Sequence, residues 1–477
     1  MKIFMLMLVL LCGSASVQAQ TWQALLPELF AKHADLKVAS WQARYANNAR
    51  EQMLAVYDTQ FQASMGISHE TTVAASAFSA STTDAMQVMS QGSRLLSNGD
   101  QLSVNMVLNR RTQDVLFNQF DPAYSSQLNF KYRHPLLRGA NNQALKQNLQ
   151  ASQLDETLVR WQLAMIRQAL AGQLLGLAYQ QRQIHIKVKL AHAAVQRSQR
   201  LLSYQRKREV FGLIESSERL QTAALLRLRQ REEAQAKADL FLVEGKVNRL
   251  LQRPLDQALL FTWPDKGMTE IPSLSQSTQL ALRQRPVFQM DNIRLDALEA
   301  RSLAVAESEK IQLDVITELG TRALSSSPLH SALSIADPRK HYVYVGLEFS
   351  DSVQKTAAHA QLRQLSLQQH EVHLLRVQRV QQLKDQLADV LLQIKAAKLI
   401  HASMQASEKA EKRKFYAESE RYRQGRSTTA VLIQFEDSLR QAQLVSSLQH
   451  IQRQFLASQL QWLQGSLMAS YEQGLRP

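Results

Sequence analysis

The residues able to do chemistry in this chain are its 12 histidines, 41 carboxylates and single cysteine, and their spacing decides whether a reactive site is encoded. His370-Glu371-x-His373 sets two imidazoles three residues apart, neighbours on one helix face, and His185 and His192 recur seven apart on another helical stretch. A zinc site needs three or four converging ligands, each oriented by a second partner. These histidines sit instead among Gln, Arg and Lys, as on a solvated helix, so no metal and no cofactor is expected. The serines occur without a Gly-x-Ser-x-Gly elbow, and there is no glycine-rich phosphate loop. The chain is expected not to be an enzyme.

The elements that carry the remaining polar residues turn on the stretch from Tyr124 to Gln150. Before Pro135 the period is two: Leu128, Phe130 and Tyr132 alternate with Gln127, Asn129, Lys131 and Arg133, a strand with one apolar and one polar face. Beyond Gly139 the period becomes helical. Proline cannot donate to a ladder and glycine takes any backbone angle, so Pro135 and Gly139 mark a sharp junction. A strand suited to lipid on one side and water on the other thus feeds a very long helix.

Length and composition agree with that reading. The 477 residues include only 15 Gly and 10 Pro, too few to punctuate several compact folds, whereas long helices need little punctuation. The formal charge of +15 is spread along helical segments interleaved with Glu and Gln, and no nucleic-acid module accompanies it. Residues 1–19 read as a signal peptide: Lys2, an apolar run of about ten residues, then Val17-Gln18-Ala19. Cleavage there removes Cys12. No later segment has the run of about 18 apolar residues that a spanning helix needs, which leaves a periplasmic protein or an outer-membrane barrel.

Along the chain the pattern occurs twice. The first repeat, residues 20–272, has a leading helix from Trp22 to about Tyr57 and barrel strands within about 60–134. Its helices, over about 139–252, carry the seam Leu154, Leu158, Trp161, Met165, Gly172, Leu175, Tyr179 and break at Phe211-Gly212-Leu213. The second, 273–477, has strands within about 311–350 and helices over about 355–465 with the seam Leu383, Leu387, Val390, Ile394, Ala397, Met404 and a break at Gly425. Offsets of about 250 residues for the strands and about 215 for the glycine breaks imply an insertion of roughly 35 residues in the first strand pair. The Ser/Thr-rich loop Thr71–Thr83 and a strand from Leu102 to Leu108 fill it. It is expected to form an outer hairpin, dispensable for assembly, rather than further staves. Phe61, Phe130, Tyr132, Tyr342 and Tyr344 are either an interfacial aromatic girdle or ordinary strand aromatics.

Carried by the duplicated helix, strand pair and long helical hairpin, by Pro135-Leu136-Leu137-Arg138-Gly139 and by the tips Gly212-Leu213-Ile214 and Tyr422-Arg423-Gln424-Gly425, the chain resembles the TolC family of outer-membrane efflux proteins. The resemblance implies a mainly α protein with a membrane β-barrel: a homotrimer sharing one 12-stranded barrel and one periplasmic α-helical barrel. It would lie in the outer membrane of a Gram-negative bacterium with a long periplasmic portion, embedded in outer-membrane lipid and binding no nucleic acid. It would passively conduct cargo from an inner-membrane transporter through a periplasmic adaptor, in efflux or type I secretion. Four strands per chain cannot close a lumen alone, which independently requires several chains.

The resemblance also implies that the tips Gly212, Leu213, Arg423, Gly425 and Arg426 meet the adaptor, and that Ser217 and Glu218 clasp Tyr422 and Ser427. At the constriction, where the family carries aspartates, this chain has Val431 and Gln434. The alternative is a non-conducting periplasmic coiled-coil structural protein, which has no use for two-faced strands.

Overall fold

The computed structural model describes residues 20–73, 76, 79–115, 119–262, 270–337 and 340–467. The expected leader lies outside them, as do residues 263–269 of the connector. The chain divides into two compact bodies, one within residues 1–41, 161–290 and 376–477, the other within 42–160 and 291–375.

Helices follow from the apolar spacing. Leading helices α1 (Leu26–Lys32) and α2 (Ala34–Leu54) are separated at His33, and α5 (Leu274–Gln284) and α6 (Pro286–Ser308) at Arg285. Both separating residues are extended, so each leading helix expected from the periodicity is two. Pro286 accounts for the second break, since the residue before a proline is pushed out of the helical region. The long helices α3 (Gln143–Val210) and α8 (Thr356–Arg423) are each 68 residues, and their return helices α4 (Ser216–Leu250) and α9 (Thr429–Gln464) are 35 and 36. Such matched lengths are what two copies of one unit give. No described helix is long and apolar enough to cross a membrane.

In the first body α8 buries the stripe that its seam marked, whereas of the seam expected on α3 only Leu175 is buried, the others being half-buried, and its core stripe runs through neighbouring positions. Leu383, Leu387, Val390, Ile394 and Ala397 of α8 lie against Leu456, Leu460 and Leu463 of α9 with Phe288. Leu170, Leu174, Leu175 and Ala178 of α3 lie against Val247 and Leu251 and against Trp22, Leu26 and Leu29. Phe261 joins that cluster, next to a two-residue parallel pairing of β1 (Gln20–Thr21) with β6 (Phe261–Thr262). Each Leu, Ile, Val or Phe side chain so buried contributes about 1.5–3 kcal/mol. Glu28 ties the cluster's edge: it accepts from Arg253 Nε at 2.9 Å and from Lys32 Nζ at 2.9 Å.

The second body holds one six-stranded antiparallel sheet in the order β2-β3-β4-β5-β7-β8. The strands are β2 Gln60–Thr71, β3 Thr82–Leu95, β4 Gln101–Gln113, β5 Ala123–Pro135, β7 Gln312–Ser325 and β8 His341–Ser350. This corrects the expected strand count. The insertion is no outer hairpin: β3 and β4 stand between β2 and β5 and pair over nearly their full length, from Gln60↔Ser93 to Thr71↔Thr82 and from Gln101↔Arg133 to Arg111↔Ala123. The chain therefore supplies six strands to this sheet, not the four on which the 12-strand arithmetic rested. Strand β3 escaped the periodicity because Ser90 and Gly92 interrupt its apolar alternation after Met86 and Val88, while Met89 breaks the polar one. The Ser-rich loop after β7 contains a short helix, α7 (Pro328–Leu333).

Candidate functional site: a two-faced sheet and two helix tips

Directly opposed residues of antiparallel strands share a face, so the register sorts the sheet's side chains. One face carries Phe61, Met65 and Ile67 of β2, Met86 and Val88 of β3, Leu102, Val104, Met106 and Leu108 of β4, and Leu128, Phe130 and Tyr132 of β5. It continues through Val315 and Leu319 of β7 to Val343, Val345, Leu347 and Phe349 of β8. Most of these side chains are exposed, Ile67 at 79% and Leu347 at 71%. A soluble monomer seldom leaves so continuous an apolar surface bare. Near the sheet's far end α7 lies over this face, where the Ser126 and Ser331 hydroxyls are 2.8 Å apart. Of the girdle candidates, Phe61, Phe130 and Tyr132 lie on the apolar face and Tyr342 and Tyr344 on the other.

The opposite face is polar. Gln62, Gln91, Asn105 and Asn129 form one lateral row of amides, and Gln60, Ser93, Ser103, Lys131 and Glu318 the row below it. Two of its cations are paired: Lys131 Nζ lies 3.1 Å from Glu318 Oε1, and Arg133 bridges Asp314 at 3.6 Å and Glu348. Arg322 lies 4.7 Å over the Tyr342 ring. Alternation of this kind in six strands is what a barrel wall between lipid and water requires.

The expected junction is tightly built. After β5, Leu136 N–H donates to Leu313 O at 2.8 Å and Arg138 N–H to Ile311 O at 3.1 Å. Gly139 then turns the chain at φ +90°. The turn between β3 and β4 docks on this junction: Asn142 Nδ2 donates to Leu96 O at 2.7 Å and Asn141 N–H to Asn98 O at 2.9 Å. Gly99 sits at φ +95°, and a Cβ there would lie 2.3 Å from Gly139 O. Asp100, almost fully buried, accepts from the Tyr132 hydroxyl at 2.6 Å and pairs with His134 Nδ1 at 2.6 Å. Sequence reading missed Asp100 and Asn142, since nothing local marks a loop carboxylate as buried.

The helix tips close alike. Gly212 and Gly425 are at φ +69° and +76°. Gly212 N–H donates to Glu209 O and Leu213 N–H to Arg208 O, as Gly425 N–H does to Tyr422 O and Arg426 N–H to Arg421 O. That is the Schellman pattern in both repeats, with glycine free to take the left-handed angle. Phe211, Leu213, Arg423 and Arg426 are exposed.

The expected clasp is present in altered form. Tyr422 makes no direct hydrogen bond to Glu218: its hydroxyl is 3.2 Å from Thr429 Oγ1, and Thr429 donates to Glu218 Oε2 at 2.6 Å. Gln205 Nε2 donates to both hydroxyls, at 2.5 Å to Tyr422 and 2.6 Å to Thr429. Gln205, Tyr422 and Thr429 are all at most 2% exposed. Four helices thus meet through one relay in which Thr429 stands between the tyrosine and the carboxylate. Burial, above all, pushes the Tyr422 hydroxyl pKa up, so it stays a donor. Arg208 lies 5.9 Å over the Tyr422 ring. Ser217 bonds Glu215 instead, and Ser427 Oγ is buried without a partner among the described residues. Gln205 was findable, as a polar residue continuing the buried stripe Ser198, Leu202. Val431, half-buried, and Gln434, exposed, lie one turn apart at the start of α9.

Of the histidines, His370 Nδ1 bonds Ser366 O within its own helix and His192 pairs with Glu233 at 2.9 Å. No group of three metal-ligating side chains occurs among the described residues.

No family model matches the chain, and no curated protein sequence matches it. Solved structures do. The outer-membrane channel OprN superposes with a TM-score of 0.68 at 14% identity, over 93% of this chain and 89% of that one. The outer membrane protein VceC of Vibrio cholerae gives 0.63 at 13%, over 93% and 96%. The MtrE outer membrane channel of Neisseria gonorrhoeae, in its open state, gives 0.64 at 13%, over 94% and 89%. The chain has the TolC-channel fold. At such low identity the TolC-channel likeness covers nearly the whole of the described chain without fixing any side chain, so Gln205, Thr429 and the junction turn are read from this structure alone.

Proposed function

We propose that the chain is an outer-membrane channel, three copies of which enclose a passive conduit through which a periplasmic adaptor and an inner-membrane transporter expel small molecules or a polypeptide. One observation carries the reading: a six-stranded sheet that is apolar on one face and polar on the other. A helical scaffold gains nothing from such a sheet, whereas a wall between lipid and water needs both faces. In this reading the sheets are barrel staves, the helices of the first body wall the periplasmic duct, and the tips near Gly212 and Gly425 meet the adaptor. The relay Gln205–Tyr422–Thr429–Glu218 holds the resting tip, with Val431 and Gln434 lining the constriction in place of carboxylates. Membrane fractionation tests it. The chain should remain in the outer-membrane fraction after carbonate extraction and migrate as a trimer on gels until heated. A chain released with the periplasmic contents, migrating as a monomer unheated, would overturn the reading.

A further inference from the structure

The sheet ends on two open edges. Among the described residues β2 pairs only with β3 and β8 only with β7. Neither edge is blunted in the usual ways: β2, QFQASMGISHET, and β8, HYVYVGLEFS, contain no Lys, Arg or Pro, and neither is short, at 12 and 10 residues. Both keep the two-faced alternation to the edge, with Phe61, Met65 and Ile67 on one and Val343, Val345, Leu347 and Phe349 on the other, all exposed. Edges so long, free of Lys, Arg and Pro and apolar on one side demand a strand partner.

Strand direction alternates across all six, so β8 runs opposite to β2. A second copy therefore sets its β2 antiparallel to β8 with apolar faces matched, and each copy adds six staves. We propose that β8 of each chain pairs with β2 of the next, and that three chains close an 18-stranded barrel. This rests on the trimeric channel reading above but not on any relative, since four strands per chain would have given twelve. The two added staves are built in rather than appended: their connecting turn, Leu96 to Asp100, is bonded to the β5–α3 junction through Asn142, Asn141 and Asp100. Barrel diameter grows roughly linearly with strand number, so 18 strands give a lumen about half again as wide as 12, in the range where barrels hold an aqueous channel. The amide row from Gln62 to Asn129 would line it.

Paired cysteines in the full-length chain, with Cys12→Ser, test this. Gln62 and Gln91 are opposed, so Gln62→Cys/Gln91→Cys should oxidise within one chain. Gln62 and Asn129 are three strand spacings apart, roughly 14 Å, beyond the reach of about 7 Å for a disulfide, so Gln62→Cys/Asn129→Cys should not. Cysteines at Gln62 or Ser64 combined with Tyr344, Gly346 or Glu348 should yield covalent trimers in at least one register. A Gln62–Asn129 disulfide within a chain of intact trimers would show β3 and β4 extruded and overturn the 18-strand barrel while leaving the channel reading in place. Covalent dimers as the closed end product would overturn it in favour of 12 strands from two chains. Absence of any oligomer in the parent would remove the channel reading itself.

Discussion

Two polar contacts in the helical body make opposite kinds of statement about energy. Gln205, Tyr422 and Thr429 of the tip relay are fully buried, and leaving one such group without a partner costs about 1–3 kcal/mol. Thr429 is the relay's centre, accepting from Gln205 and donating to Glu218. Thr429→Val should therefore loosen the tip and raise resting conductance several-fold, with Tyr422→Phe and Glu218→Gln in the same direction. Because they break one connected unit, the Tyr422→Phe/Thr429→Val double variant should resemble either single. Single variants conducting like the parent would show that the relay does not hold the tip. Glu28, by contrast, is a partly exposed carboxylate whose pKa the hydrogen bonds from Arg253, above all, bring from the ordinary 4.5 to about 2. A depressed carboxylate stabilises the fold above its unfolded pKa, and that contribution is lost as pH falls from about 4.5 through 2. Arg253→Met should lower the thermal midpoint at pH 7 and lower it far less at pH 2.5. An equal loss at both would assign Arg253 to packing rather than to the ion pair.

Elements were legible where one face is consistently apolar. The seams on α8 and the strands β5 and β8 alternate without exception over their marked residues, and the sequence periods placed them. Strand β3 was illegible because its apolar run fades at Ser90 and Gly92, and its place in the sheet is set by pairing with β2 and β4, which no local pattern encodes. The tip glycines were legible for the opposite reason: a left-handed helix end needs glycine wherever it occurs. The two kinds of glycine differ in cost. Gly212→Ala meets open space and suffers only the positive φ, about 1 kcal/mol, whereas Gly99→Ala also drives a Cβ into Gly139 O. Gly99→Ala should thus lower the temperature at which trimers dissociate on gels clearly more than Gly212→Ala. Equal effects would mean that the β3–β4 turn is not locked to the junction.

For the whole molecule, the duplicated order of helix, strands and hairpin was readable because it is a matter of period and length. The proposed closed wall was not, because no local pattern encodes which strand would cover the open edges of a two-faced sheet. The tip clasp was half-legible: the positions of Tyr422 and Glu218 could be counted from the glycines, but the bridging role of Thr429 depends on the spacing between four helices. The sheet, the tips and the tip relay all bear on the proposal that the chain conducts. The most direct test is single-channel recording of the purified full-length protein in planar bilayers. The account predicts discrete, stable conductance steps from the parent and larger ones from Thr429→Val. Bilayers that stay silent with both proteins, under conditions where each is inserted, would contradict it.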